Sequence, residues 1–287
     1  MSVSTLSAAA TPSEKELQHL ARFCAETMRE AGALAQRAFE EPRGIAYNLK
    51  GPQDILTETD QAVEDFIRSR IHEAFPEHDF LGEETGGSVK GLAWVVDPID
   101  GTANFARQIP HYCISVAFVA NGETVLGAIY NPATKELFEA QRGAGATRNG
   151  IPIRVSSQRS VSAASVELGW STRLPLETYL TALSALIRAG VSVRRGASGA
   201  MGLAYVADGR SDAYAELHMH AWDCLAGLLL VKEAGGVIAP FPTGEGMIEG
   251  GAVLAASPIV AQLVSKATGI ALEKEAGASA IRAGGRS

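Results

Sequence analysis

The chain has 287 residues, 46% of them hydrophobic, and a net charge of −7. This length suits one large domain or two modest halves with a substantial core. The negative charge argues against a membrane partner or direct nucleic-acid binding. An anionic substrate remains compatible with it, because bound metal ions invert the local field. The sequence contains neither a signal peptide nor an apolar stretch of membrane-spanning length, so we expect a cytoplasmic protein.

The three cysteines are far apart, and each lies in an apolar stretch: Cys24, Cys113 and Cys224. Their spacing does not fit a zinc site. We therefore expect buried free thiols in a reducing compartment.

Hydrophobic periodicity predicts two long helices near the start of the chain, and a polar loop at 42–52 lies between them. The first covers 13–39, and the second begins near Asp60 and carries its apolar residues at 63–75. Pro76 ends the second helix. Strand patterns then follow, and Asn121-Gly122 is typical of a hairpin turn. The strands predicted around it form an antiparallel meander: 112–120, 125–130 and 137–140.

The second half of the chain alternates helices with strands, which indicates a layered α/β arrangement. The predicted helices are 176–188, 201–206, 223–234 and 259–267. The predicted strands are 191–194, 213–217, 237–238 and 252–255. We expect an N-terminal α+β half at 13–155, a C-terminal α/β half at 156–270, and flexible segments at 1–12 and 273–287.

The most informative segment runs from Trp94 to Phe105 and reads Trp-Val-Val-Asp-Pro-Ile-Asp-Gly-Thr-Ala-Asn-Phe. Its apolar run ends in two carboxylates, Asp97 and Asp100. Two such groups repel one another unless one is protonated or a cation lies between them. Mg²⁺ is held by one or two carboxylates and usually carries substrate phosphates as well. A buried strand closed by Asp-Pro and Asp-Gly turns would produce the same residues.

Further acidic residues lie where apolar elements begin or end: Asp60, the pair Glu83-Glu84, and Asp223. Asp60 and Asp223 could serve only as helix caps, and the glutamate pair could be a solvated turn. Taken together, they occupy the positions at which open α/β folds place ligands. Carboxylates without clustered Cys or His favour Mg²⁺, Mn²⁺ or Ca²⁺ over zinc.

Four motifs in this order resemble the inositol monophosphatase family. They are Asp54 to Asp60 (Asp-Ile-Leu-Thr-Glu-Thr-Asp), Leu-Gly-Glu-Glu at 81–84, Asp-Pro-Ile-Asp-Gly-Thr at 97–102, and Trp-Asp-Cys-Leu-Ala-Gly at 222–227. The resemblance covers roughly residues 15 to 265. It implies a layered αβαβα sandwich of the sugar-phosphatase type, Mg²⁺-dependent phosphomonoester hydrolysis, lithium inhibition and a homodimer.

The resemblance also implies roles for individual residues. The implied ligands of a first metal are Glu83, Asp97 and the backbone carbonyl of Ile99. Those of a second metal are Asp97, Asp100 and Asp223. Asp60 and Thr102 resemble the pair that orients and deprotonates the attacking water, so the implied catalytic residues are Asp60, Glu83 and Thr102. The implied substrate contacts are Asp100, Gly101, Thr102, Ala197, Ser198, Gly199 and Glu216. Two or three Mg²⁺ ions are expected per site, and Mn²⁺ is expected to substitute.

Two positions depart from the family pattern. The family often has Thr at the position of Ala103, and Gly at the position of Ala197. Neither departure touches an implied metal ligand, so both concern the substrate more than the chemistry. The sequence favours a phosphatase acting on inositol monophosphate or a similar polyol or sugar phosphate. Histidinol-phosphate phosphatase is the alternative enzyme, and a protein-binding regulator of transcription complexes is the alternative from another class.

Overall fold

The computed structural model describes residues 11–41, 45–51, 54–157, 160–244 and 246–272. Apart from residues 11 and 12, the segments expected to be flexible lie outside the described residues. The helices are α1 (Glu14–Phe39), α2 (Glu58–Ala74), α3 (Thr102–Phe105), α4 (Leu176–Arg188), α5 (Gly199–Ala207), α6 (Ala221–Glu233), α7 (Gly246–Glu249) and α8 (Ala261–Thr268). Helix α1 begins one residue after the expected start, because Ser13 is its N-cap and forms a capping box with Glu16.

The strands of the first half are β1 (Tyr47–Gly51), β2 (Asp54–Thr57), β3 (Asp79–Gly82), β4 (Gly86–Gly87), β5 (Leu92–Asp100), β6 (Cys113–Ala120), β7 (Glu123–Asn131), β8 (Glu136–Gln141), β9 (Gly145–Arg148) and β10 (Ile151–Pro152). Those of the second half are β11 (Ser165–Leu168), β12 (Ser192–Arg194), β13 (Ala213–Met219), β14 (Val237–Ile238) and β15 (Gly251–Ala256).

Strands β3 to β10 form an eight-stranded sheet in the order β10-β9-β8-β7-β6-β5-β3-β4. Only the β3–β5 pair in it is parallel. The antiparallel meander from β6 to β8 confirms the hairpin expected at Asn121-Gly122. The second half contributes a mixed five-stranded sheet in the order β12-β11-β13-β15-β14.

Side chains alternate along the central strands and build a core on each face of the larger sheet. Trp94 and Val96 of β5 pack with residues of α1 and α2, whereas Val95 packs with residues of α5 and α6. A strand buried on both faces reads as a continuous apolar run, which explains the sequence before Asp97.

The smaller sheet divides its side chains in the same way. Val253 and Ala255 of β15 belong to the core shared with α5 and α6, and Leu254 packs with residues of α4 and α8 on the other face. Helices α5 and α6 therefore lie between the two sheets. The result is the expected αβαβα sandwich, with three helical layers alternating with two sheets.

Helix α6 lies unusually close to the larger sheet. A Cβ atom at Gly127 of β7 would stand 2.8 Å from the Cα atom of Ala226, which leaves no room for a side chain there. The bare Cα atom lets the backbone of α6, the helix that carries Asp223, approach β7 closely.

One expectation about secondary structure was wrong, and several short strands were missed. Residues 47–51 of the expected polar loop are strand β1, which pairs antiparallel with β2. Tyr47 and Leu49 alternate with polar residues, but the run has only five residues and is followed by Pro52, and Gly-Pro is typical of a loop. Strand β11 was missed because it has only four residues and contains the buried charge of Glu167.

The expected boundary at residue 155 falls between β10 and β11, where the chain leaves the larger sheet for the smaller one. The division into two domains remains a prediction. All three cysteines are free and buried, as expected. Within the described ranges, no helix has the length and apolarity needed to cross a membrane.

Candidate active site

The Asp97–Thr102 segment ends β5 and begins helix α3. The pairing of β5 with β6 is irregular between Asp97 and Asp100, and the amide of Ile99 donates a hydrogen bond of 2.9 Å to the Asp97 carboxylate. Gly101 has φ +89°, a left-handed conformation that favours glycine. A Cβ atom there would also lie 3.1 Å from that of Ser198. The glycine therefore permits both the sharp turn and the close approach of the second half.

Asp97 is the most deeply embedded of the four acids expected to bind metal. Burial raises its pKa well above the ordinary value, and the charges of Glu83, Asp100 and Asp223 raise it further. A side-chain hydrogen bond with Glu83 raises the pKa of Asp97 in the same direction. The structure thus brings these four acids into one electrostatic group.

Asp223 is the third residue of α6, where it accepts a 3.0 Å hydrogen bond from the backbone amide of His220. Burial raises its pKa, and the charges of Glu83 and Asp100 act in the same direction. It therefore stabilises the start of the helix, as the simpler interpretation requires, and it also faces the other acids.

Asp100 is held by the beginning of α5. Its carboxylate accepts hydrogen bonds from the Ser198 hydroxyl, from the amide of Gly199 at 3.2 Å and from the amide of Ala200 at 2.8 Å. Burial raises the pKa of Asp100, whereas these bonds lower it. The two halves of the chain meet at this carboxylate.

Asp60, in the first turn of α2, is bonded to Thr57 and to Thr102. One carboxylate oxygen accepts from the Thr57 amide at 2.9 Å, and the other lies 3.2 Å from the Thr102 hydroxyl oxygen. That hydroxyl is also 2.9 Å from the backbone carbonyl oxygen of Ile99. Burial raises the pKa of Asp60 to about 6, although its hydrogen bonds with Thr57 oppose the shift. Thr102 thus joins Asp60 to an implied metal ligand.

The turn formed by residues 196–198 is held by Asn104. Its side-chain amide donates to the carbonyl oxygens of His111 at 2.7 Å and of Gly196 at 2.9 Å, and it lies 3.4 Å from that of Ala197. Ala197 has φ +58°, in the left-handed region. The departure from glycine noted in the sequence therefore falls on a residue whose backbone conformation disfavours a side chain.

Glu216, on β13, lies beside the hydroxyl of Tyr214, which donates a 2.5 Å hydrogen bond to its carboxylate. Burial raises the pKa of Glu216 to about 7. Both residues line a cleft of about 450 Å³. The cleft is also lined by Glu83, Asp100, Gly101, Thr102, Ala197, Ser198, Gly199 and Asp223. The implied substrate contacts from the two halves of the chain therefore share one cavity.

The chemistry of the donor set fits a hard cation. Across the described part of the chain, no three His, Cys, Asp or Glu side chains form a ready-made metal-binding group. Glu83 and Asp97 are instead bonded to one another, and Asp100 is bonded to α5. The four acids and the Ile99 carbonyl nevertheless offer only oxygen donors. A divalent cation would neutralise the crowded negative charge of the acids.

Sequence reasoning missed several residues of this site. Asn104 stands within the recognised motif but had no role assigned to it. Tyr214 lies in a predicted strand and Glu167 in the strand that was missed, and neither position indicated a role. Glu64, fully buried on α2, was also missed. Its position four residues after Asp60 places both on one helix face, and this spacing was the available signal.

The sequence pattern of the inositol monophosphatase family matches residues 16–277. The chain belongs to this family. Members are generally Mg²⁺-dependent, in agreement with the oxygen-only donor set. The Nus factor SuhB of Escherichia coli K12 is 36% identical to this family member over 237 residues, which cover 81% of this chain and 89% of the relative.

Solved structures show the same fold. Extragenic suppressor protein suhB of Bartonella henselae superimposes with a TM-score of 0.81 and 32% identity, covering 87% of this chain and 98% of the other. An IMPase of Thermotoga maritima gives a TM-score of 0.78 and 30% identity, covering 88% and 97%.

Replacing Ala197 by Gly should stabilise this inositol monophosphatase family member by up to about 1 kcal/mol. The left-handed conformation costs a non-glycine residue about 1–2 kcal/mol, and the greater freedom of glycine in the unfolded chain offsets part of the gain. Chemical denaturation measures the change. Ala189→Gly is the matched control, because Ala189 is exposed and has an ordinary φ of −74°. The Ala189→Gly variant should lose stability. A loss of similar size in Ala197→Gly would show that the backbone of Ala197 is not strained.

Stabilisation by Mg²⁺ should grow as the pH rises from about 5 to 8. The raised pKa values of Asp60, about 6, and Glu216, about 7, mean that the folded metal-free protein holds protons that the unfolded chain releases. The metal-free protein therefore loses stability from these groups as the pH rises through this window. Asp97 and Asp223 shift in the same direction. Cation binding is favoured as these carboxyls lose their protons.

The measurement is the difference in melting temperature between samples with Mg²⁺ and with EDTA at each pH. Groups remote from the site affect both samples equally and cancel in the difference. A difference that is flat with pH, or zero throughout, would contradict this interpretation of the buried acids.

Proposed function

We propose that this chain is a Mg²⁺-dependent phosphomonoesterase that hydrolyses inositol monophosphate or a similar polyol or sugar phosphate. The observation that carries the proposal is the Thr102 hydroxyl, which lies between the Asp60 carboxylate and the Ile99 carbonyl at the edge of the acidic cleft. Family membership and the likeness to an IMPase support phosphatase chemistry in general.

The residues that would hold Mg²⁺ are those at the strand and helix ends. Glu83, Asp97 and the carbonyl of Ile99 would hold one ion, and Asp97, Asp100 and Asp223 a second. Bound Mg²⁺ would supply positive charge to the phosphate oxygens and lower the pKa of water. The protein would hold oxygen ligands from both halves of the chain close together. The backbone amides that donate hydrogen bonds to Asp100 and Asp223 support this role.

Asp60 and Thr102 would orient and deprotonate the attacking water. The Thr102 hydroxyl has one proton and two acceptors within reach, Asp60 and the Ile99 carbonyl. Donation to Asp60 leaves a lone pair on the Thr102 oxygen, which can accept a hydrogen bond from water, and makes Asp60 the final proton acceptor. Burial brings the pKa of Asp60 to about 6, close to the operating pH of a general base.

The substrate's leaving group would lie against the second half of the chain. Glu216 and the Tyr214 hydroxyl present polar groups to the cleft, and a carboxylate is a suitable acceptor for the hydroxyls of a polyol. Gly101 and the 197–199 turn line the same cavity and are the proposed phosphate and substrate contacts. Histidinol phosphate remains the alternative substrate.

A second candidate function comes from another class. The Escherichia coli relative is named a Nus factor, which favours a protein-binding role in transcription complexes. Asp97→Asn separates the two functions, since a role that depends on surface contacts should survive loss of a buried carboxylate. Binding of this variant to purified RNA polymerase, with wild-type protein alongside, is the test.

The homodimer also remains a prediction. Helix α4 leaves three large apolar side chains exposed, Leu176, Leu180 and Ile187. An apolar helix surface of this kind is typical of protein contacts and supports the prediction.

The proposed activity is tested by phosphate release from four substrates: inositol monophosphate, histidinol phosphate, fructose 1,6-bisphosphate and adenosine 3′,5′-bisphosphate. We expect turnover that is abolished by EDTA and restored by Mg²⁺, with the highest kcat/KM on inositol monophosphate. Asp97→Asn should lose orders of magnitude in rate while remaining folded. Full turnover in EDTA would refute the metal-assisted chemistry, and preference for another substrate would correct the substrate alone.

Thr102→Ala should lower kcat by about 10²–10⁴-fold and change KM little, because the lost interaction acts in the transition state. Steady-state kinetics at saturating Mg²⁺ measures both constants. Thr134→Ala is the control, since the Thr134 hydroxyl bonds Glu136 in an exposed turn outside the cleft. A raised KM with unchanged kcat would mean that Thr102 holds the phosphate. Loss of stability with unchanged kcat and KM would mean that Thr102 only stabilises the start of α3.

A further inference from the structure

Glu64 lies on helix α2, one turn after Asp60, and both side chains are fully buried. A buried carboxylate needs hydrogen-bond donors to compensate for lost hydration. The groups that donate hydrogen bonds to Glu64 lie in the turn that follows β3. The first residue of this turn is the implied metal ligand Glu83.

Three hydrogen bonds join Glu64 to this turn. One carboxylate oxygen accepts from the backbone amide of Glu84 at 2.9 Å. The other accepts from the backbone amide of Thr85 at 2.9 Å and from its hydroxyl at 2.6 Å. The two residues that follow Glu83 are thereby bonded to a helical side chain.

Gly82 fixes the other side of the turn. A Cβ atom at residue 82 would stand 2.5 Å from the Glu64 carboxyl carbon and 2.5 Å from one of its oxygens. Only a bare Cα atom leaves room for the carboxylate. Glu83 therefore lies between Gly82, which packs against the Glu64 carboxylate, and two residues that donate hydrogen bonds to that carboxylate, Glu84 and Thr85.

We propose that Glu64 is a positioning residue, which sets the place of the Glu83 carboxylate relative to Asp60 and so tunes the affinity of the site for its divalent cation. Because Asp60 and Glu64 share one rigid helix, movement of the proposed base and of the proposed metal ligand is coupled. The inference rests on the proposed function, since it takes the cation to be the one that Glu83 would hold.

Glu64→Gln tests the proposal with the smallest change in shape. The amide oxygen can keep both bonds from Thr85, but the amide nitrogen then faces the Glu84 N–H, which loses its acceptor. We expect the dissociation constant for Mg²⁺ to rise by about 10-fold or more, the range seen when residues supporting metal ligands are changed. At saturating Mg²⁺, KM for substrate should change less than about twofold.

The primary measurement is Mg²⁺ binding by calorimetry without substrate, so it does not depend on activity. Hydrogen exchange of the amides at 84 and 85 in metal-free protein is the second readout and should accelerate in the variant. Glu233→Gln is the matched control, because Glu233 also accepts two backbone amides, those of Gly143 and Gly145, in a turn outside the cleft. It should leave Mg²⁺ affinity unchanged.

A double-mutant cycle gives independent evidence. Gly82→Ala alone should weaken Mg²⁺ binding, because the added methyl group displaces the Glu64 carboxylate. In a Glu64→Ala background the collision is gone, so the same change should add little further loss.

Unchanged Mg²⁺ affinity in Glu64→Gln, whatever happens to its melting temperature, overturns the positioning role. If wild-type protein binds Mg²⁺ but hydrolyses none of the phosphates, the proposed function fails while calorimetry still tests Glu64. If wild-type protein binds no Mg²⁺, both proposals fall.

Discussion

The structure depends on one electrostatic constraint, the gathering of several carboxylates in a place where water is largely excluded. Asp97 and Asp223 show the consequence, since burial and mutual repulsion raise the pKa of each. The fold opposes this cost with backbone N–H groups at helix starts. Asp60 lies in the first turn of α2, Asp223 in that of α6, and Asp100 accepts from the first amides of α5. Negative charge is favoured at such positions.

The same constraint explains why the site lies where it does. Strand β5 is buried on both faces and can end in acids only where helices from other layers present donors. Helices α5 and α6 lie between the sheets, so their N-termini reach β5 from the second half of the chain. Asp100 meets Ser198 and Ala200 in this way. The acidic cleft therefore depends on the layered architecture, which brings the start of α5 to the end of β5.

Much of this could be predicted from the sequence, because the decisive signals are local. The Asp-Pro-Ile-Asp-Gly-Thr string, the long amphipathic helix from Ser13 and the Asn121-Gly122 hairpin each depend on neighbouring residues. The β1–β2 hairpin was missed because β1 is short and the Gly51-Pro52 pair after it is typical of a loop. Glu64 and Asn104 were missed because their partners, Thr85 and Gly196, are 21 and 92 residues away. The position of Ala197 was noted as a departure from glycine, but its positive φ could be seen only in the structure.

The bonds from Asp100 to the start of α5 span 98 to 100 residues of chain. Closing a loop of this length costs conformational entropy before any of these contacts can form. As the chain is synthesised, the acids of β5 emerge long before the amides that will receive them, and they remain hydrated in the interval. The cleft therefore cannot be completed by the first half alone, and its acids exchange water for backbone amides only when the second half is present.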